Sequence, residues 1–144
     1  MLKGIDPLLG PEALSILRAM GHGDEIAIVD ANFPATTHAQ RLVRADGVDA
    51  VRMLGAIVSL LPIDDFQTPA AWRMAIVDAP DESPPIASAF ETVLRRAGYD
   101  AGIGALERAA FYTRARQAFA IVATGETRLY GNIILAKGVV RHED

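Results

Sequence analysis

Apolar and polar residues follow one another along this chain in two kinds of block. Residues 11–20, PEALSILRAM, space their apolar side chains at helical intervals. Pro11 suits the first helical position, Glu12 the positive end of the helix dipole, and Gly21 the stop. Residues 25–29, EIAIV, form a short apolar run ending at Asp30, the pattern of a buried strand. Both patterns recur. Residues 41–44 predict a short strand, Val48 to Leu61 a helix ending before Pro62, and residues 72–77, WRMAIV, another strand. The segment DAPDESPP, residues 78–85, is a polar loop. A helix from Ile86 to Ala97, a strand from Ala101 to Leu106 and a short helix from Phe111 to Gln117 follow. FAIVA (119–123) and NIILA (132–136) are strands separated by TGETRLYG. Up to six strands alternating with three or four helices imply an α/β layered fold and leave the strand order open.

Composition narrows the function. A chain of 144 residues is expected to form one domain over 1–144. With 51% apolar and 22% charged residues it is not an extended disordered chain. A net charge of −4 supplies no basic footprint, so neither nucleic acid nor an anionic membrane is an expected partner. The apolar stretch from Leu54 to Leu61 falls far short of the roughly 20 residues that a membrane span requires. The start, MLKGIDPLLGPE, is broken by Asp6, Pro7 and Pro11, unlike a signal peptide. No cysteine is present, which excludes disulfide and thiolate chemistry and fits a reducing compartment. A cytoplasmic protein is expected.

Candidate chemistry begins at MGHGDEIAIVDANFPA, Met20 to Ala35, where His22 stands between two glycines. One reading is a polar residue in a helix-to-strand turn whose glycines supply positive φ angles. The other is an uncrowded imidazole able to donate from one nitrogen and accept at the other, as general acid–base work requires. A metal is not expected. His22 with Asp24, or His38 with Asp30, offers two ligands, and His142 lies in a polar tail, RHED. There is no G-x-S-x-G elbow and no G-x-x-x-x-G-K-[ST] phosphate cradle. What remains is a polar set suited to a neutral, hydroxyl-rich ligand: His22, Asp24, Asp30, Arg108, Tyr112, Tyr130 and Asn132. Plainer roles are open to several of them. Asp24 could cap a turn, Arg108 and Arg114 could be solvated helix charges, and Tyr130 an apolar plug with a wet hydroxyl.

Together these residues fall in motifs that resemble the L-fucose mutarotase and D-ribose pyranase family. The matching pieces, in order, are MGHGDEI (20–26), DANFPA (30–35), RADG (44–47), FYTRARQAFAIVATGE (111–126) and YGNIILAKGV (130–139), with a divergent middle from Pro62 to Ala105. The glycine after His22, the A-N-F-P following Asp30 and the Y-G-N triplet are similar to the fucose branch. The resemblance implies a three-layer α/β/α fold with a central mixed sheet of about six strands. It implies a ring-shaped homodecamer with sites near subunit interfaces, and interconversion of monosaccharide anomers, L-fucose foremost, without a cofactor. By residue match, His22 is the expected acid/base catalyst, and Asp30, Arg108, Tyr130, Gly131 and Asn132 line the sugar site. Asp24 and Tyr112 have supporting roles. A D-ribose pyranase, or a monosaccharide-binding module without turnover, are the alternatives.

One geometric expectation follows from the strand pattern. At about 3.3 Å per residue, a strand over 25–29 holds Asp24 and Asp30 roughly 20 Å apart. His22 and Asp30 of one chain then cannot easily meet, and a site composed from two subunits is the simplest way to bring both to one sugar.

Overall fold

The computed structural model describes residues 1–143. Its central strand, β1 (Glu25–Val29), is buried on both faces. Ile26 and Ile28 enter one apolar cluster, while Ala27 and Val29 enter another on the opposite side. A strand covered on both sides has no polar face to display, which is why EIAIV is continuously apolar. The strands β5 (Ala120–Thr124) and β6 (Ile133–Ala136) divide their side chains between the same two clusters.

With β2 (Leu42–Ala45), β3 (Ala71–Met74) and β4 (Gly104–Leu106), these make a six-stranded sheet in the order β2-β5-β1-β6-β3-β4. Strands β2, β5 and β1 pair in parallel, as do β3 and β4. Strand β6 runs antiparallel to both its neighbours, with Ile28 opposite Ile133, so the sheet is mixed. Helices α1 (Pro11–Ala19), α3 (Ala50–Val58) and α4 (Pro85–Arg96) cover one face through Leu17, Met53, Leu54, Ile57, Phe90 and Leu94. Helices α2 (Ala35–His38) and α5 (Arg108–Gln117) cover the other through Ala35, Phe111 and Ala115. The result is the α/β/α arrangement expected.

The sequence pattern misplaces several boundaries, each for a local reason. The strand expected over 72–77 ends at Met74, because Asp78 takes a left-handed conformation (φ 66°) and Ala79 N–H closes a turn onto the Ile76 carbonyl. Val77 is thereby turned out to solvent. Gly102 (φ 86°) delays the strand expected from Ala101 until Gly104. The helix expected from Val48 starts at Ala50, since the Asp49 side chain accepts the Arg52 N–H as its cap. Helix α5 starts at Arg108, three residues earlier than the apolar pattern shows. Helix α2 is too short for any periodicity to reveal.

Topology also fixes where the functional residues lie. The carboxyl ends of β1, β3 and β4 and the amino end of β6 share one edge of the sheet, bringing together Asp30, Met74, Arg108 and Asn132. The crevice beyond the carboxyl ends of parallel strands is where open α/β sheets bind ligands. His22 precedes β1 and so belongs to the other edge.

Candidate active site

At the carboxyl edge, Asp30 and Asn132 hold one another by two hydrogen bonds. The Asp30 backbone N–H donates to Asn132 Oδ1 at 2.8 Å, and Asn132 Nδ2 donates to Asp30 Oδ2 at 2.9 Å. The second carboxylate oxygen accepts the Asn32 N–H at 2.9 Å, a turn that short aspartate side chains favour. The position and direction of the Asp30 carboxylate are therefore set from three sides.

Tyr130 adopts a left-handed backbone (φ 61°), a strained conformation for an aromatic residue. Its hydroxyl oxygen accepts the Val77 N–H at 3.0 Å, and its proton remains available to a ligand. Gly131 follows because nothing larger fits: a Cβ there would stand 2.5 Å from Glu126 Cγ and 3.1 Å from the Arg128 carbonyl oxygen. Glu126 is buried beneath it. Its carboxylate accepts Arg128 Nε at 2.9 Å, Arg128 Nη2 at 2.9 Å, the Arg128 N–H at 2.9 Å and the Ala50 N–H at 3.1 Å. The Arg128 guanidinium, reinforced by the backbone donors against the effect of burial, lowers its pKa to about 2.

Arg108 opens α5 and is exposed, its guanidinium carbon 5.4 Å from the centre of the Tyr112 ring. Tyr112 packs edge-on against buried Phe33 at 5.0 Å. Asp30, Arg108, Tyr112, Tyr130 and Asn132 together line an open pocket of about 260 Å³, whose remaining wall includes Met74, Val77 and Leu129. One carboxylate, one guanidinium, two amides (Asn32 and Asn132) and two phenols converge there, a set matched to hydroxyl groups rather than to phosphate. Gly131 does not line this pocket; its place is set by Glu126.

At the amino edge, Gly23 takes a left-handed conformation (φ 84°), and its N–H donates to the Lys137 carbonyl at 2.8 Å. The Asp24 carboxylate accepts the Gly21 N–H at 2.7 Å, capping the turn that presents His22. His22 Nε2 lies 3.0 Å from Asp64 Oδ1, and its ring leans on Phe66 at 4.9 Å. The His22 side chain is 43% exposed and that of Asp64 only 3%. Burial alone would raise the Asp64 pKa, but hydrogen bonds from Gln67 Nε2, the Phe66 N–H and His22 outweigh it and lower the pKa. An ionised carboxylate only accepts, so the hydrogen bond to Asp64 puts a proton on Nε2, and in the neutral ring Nδ1 is the acceptor.

The structure thus collects Asp30, Arg108, Tyr112, Tyr130 and Asn132 at one edge and His22 with Asp24 at the other. Asp64, Glu126 and Phe33 were not singled out from sequence. Asp64 lies in the divergent stretch beside Asp65, and only folding separates the pair, burying the first and leaving the second to bind exposed Arg141 at 2.8 Å. Arg114 is not a solvated helix charge. It stacks on Trp72 at 3.5 Å and grips Glu25 through Nε and Nη2. His38 sits 5.4 Å from the Tyr112 ring, away from any ligand set, and His142 is exposed. The last residue of RHED lies outside the described residues. Among the described residues, no three histidine or acidic side chains gather as a metal ion requires.

Residues 3–140 match the RbsD / FucU transport protein family. The chain belongs to this family. The fucose mutarotase of Homo sapiens is 46% identical over 145 residues, covering 96% of this chain and 94% of its own. The L-fucose mutarotase of Haemophilus influenzae is 42% identical over 140 residues, covering 96% and 97%. The crystal structure of the fucose mutarotase from Streptococcus pneumoniae in complex with L-fucose superposes with a TM-score of 0.91 at 42% identity, covering 97% of this chain and 100% of that one. The family match runs through residues 62–105, which the motifs leave out, so the Asp64 and Val77 segments belong to the shared fold.

Proposed function

We propose that this protein is a mutarotase that interconverts the α and β anomers of L-fucose. The observation that carries this is its full-length similarity, at 42–46% identity, to proteins named as fucose mutarotases. The pocket chemistry agrees with it. Mutarotation needs a base to take the anomeric hydroxyl proton and an acid to protonate the ring oxygen. The ring opens, the C1–C2 bond rotates, and the same groups act in reverse on the other face. No electron transfer and no covalent intermediate are involved. Nδ1 of His22, oriented through Asp64, is the base. The Tyr130 hydroxyl faces the pocket as proton donor, and Asp30, Asn132 and Arg108 hold the remaining hydroxyls.

His22 and Asp30 flank a five-residue strand, so at about 3.3 Å per residue roughly 20 Å separates the two edges. The reading therefore joins His22 of one subunit to the pocket of a neighbour, in the ring-shaped homodecamer that the sequence motifs suggest. The test is NMR saturation transfer between the C1 protons of L-fucose. Exchange should rise in proportion to protein concentration. Line broadening without faster exchange would mark a binder and overturn the enzyme reading.

A further inference from the structure

Val77 and Leu129 are large apolar side chains that stand 52% and 74% exposed, and both line the same pocket. They reach it from different loops, one after β3 and one before β6. The backbone that carries each is held. The Val77 N–H is bonded to the Tyr130 hydroxyl, and the left-handed Asp78 turns the chain immediately afterwards. Leu129 stands between Arg128, held by the buried Glu126, and the strained Tyr130. The two side chains thus form, with Met74, an apolar wall beside the Tyr130 hydroxyl, while Asp30, Asn132 and Arg108 are among the polar groups on the rest of the lining.

We propose that this wall receives the C6 methyl group of the sugar and makes Val77 and Leu129 the residues that select a 6-deoxy substrate. The inference rests on the mutarotase reading and adds a specificity to it. A 6-deoxyhexose carries hydroxyls around its ring and a single methyl, on C5. C5 is bonded to the ring oxygen, so a sugar that presents its ring oxygen to Tyr130 places its C5 substituent against Val77. A hydroxyl at C6 would face side chains with no polar atom, and a pentose lacking C6 would leave the wall uncovered.

The experiment compares L-fucose with L-galactose, which has a C6 hydroxyl, and D-arabinose, which lacks C6 and otherwise matches the ring. C1 exchange is measured for wild type, Val77→Thr and Leu129→Ser. Wild type should favour L-fucose over each analogue by about 10- to 100-fold, the range one methyl or hydroxyl commands in an apolar pocket. Val77→Thr keeps the shape and the backbone N–H, and should narrow the L-fucose to L-galactose preference about tenfold. Leu129→Ser should narrow the preference over D-arabinose similarly. Both positions are exposed, so the variants should melt like wild type. Acceleration by wild type with ratios unchanged in both variants would overturn the wall alone. A variant that dissociates and loses exchange equally on all three sugars would also overturn it, assigning its side chain to a subunit contact. No acceleration of any of the three sugars would overturn the mutarotase reading itself.

Discussion

His22 owes its chemistry to Asp64 more than to its glycine neighbours. Only Gly23 has a positive φ, while Gly21 serves by donating its N–H to Asp24. The buried Asp64 carboxylate sets the tautomer and the ring direction, and two further donors keep it ionised. Replacing His22 by alanine should lower L-fucose exchange by about 10²- to 10⁴-fold, the share a positioned acid–base group supplies. The half-exposed ring packs little, but Asp64 loses one of its three donors, so the melting temperature should fall by no more than about 5 °C. Asp64→Asn presents an amide that can accept or donate, and the tautomer is no longer dictated. It should lower exchange by about 10- to 100-fold, with most of the loss in the maximal rate rather than in half-saturation. Sequence reading singled out the histidine because a residue framed by glycines is visible in one dimension. It missed Asp64 because an aspartate beside an identical aspartate differs from it only in burial, which the fold decides.

Between elements, Glu126 is the main tie. Its carboxylate reaches the first N–H of α3, its main-chain carbonyl accepts the Ala31 N–H beyond β1, and its side chain forms the surface on which Gly131 lies. Its folded-state pKa of about 2 lies below the ordinary value of 4.5. The unfolded chain therefore binds the proton more readily than the folded one. The stabilisation is fully present above about pH 4.5 and is lost as pH falls towards 2, amounting to at most about 3 kcal/mol. Urea midpoints taken from pH 6 to pH 2 should fall across that window for wild type and change less for Glu126→Gln. Gly131→Ala forces a methyl into Glu126 and should cost about 1–3 kcal/mol by the same measurement. At this scale the sequence was readable wherever burial is uniform: β1, β5 and β6 are covered on both faces and show as apolar runs. It was not readable where one left-handed residue ends an element, as Asp78 does after β3, or where a helix such as α2 is a single turn.

Across the whole molecule, the sheet keeps the His22–Asp64 pair and the pocket around Asp30 and Tyr130 at opposite edges, and the proposed mechanism requires a neighbouring subunit to join them. The strand order that creates this separation was beyond the sequence pattern, because an antiparallel β6 inserted between β1 and β3 leaves no mark on either strand's residues. A subunit separated from its neighbours should fold and bind sugar weakly, yet leave anomer exchange at the uncatalysed rate. Exhaustive chelation should leave exchange unchanged, since the proposed steps use only side-chain protons. The composite site is tested most directly by co-expressing His22→Ala and Asp30→Ala subunits and measuring L-fucose C1 exchange by saturation transfer. Each variant alone should be close to inactive. In mixed oligomers, about one site in four should unite an intact His22 with an intact Asp30, restoring about a quarter of wild-type exchange per site. Mixed oligomers no more active than the two variants assembled separately would contradict the shared site.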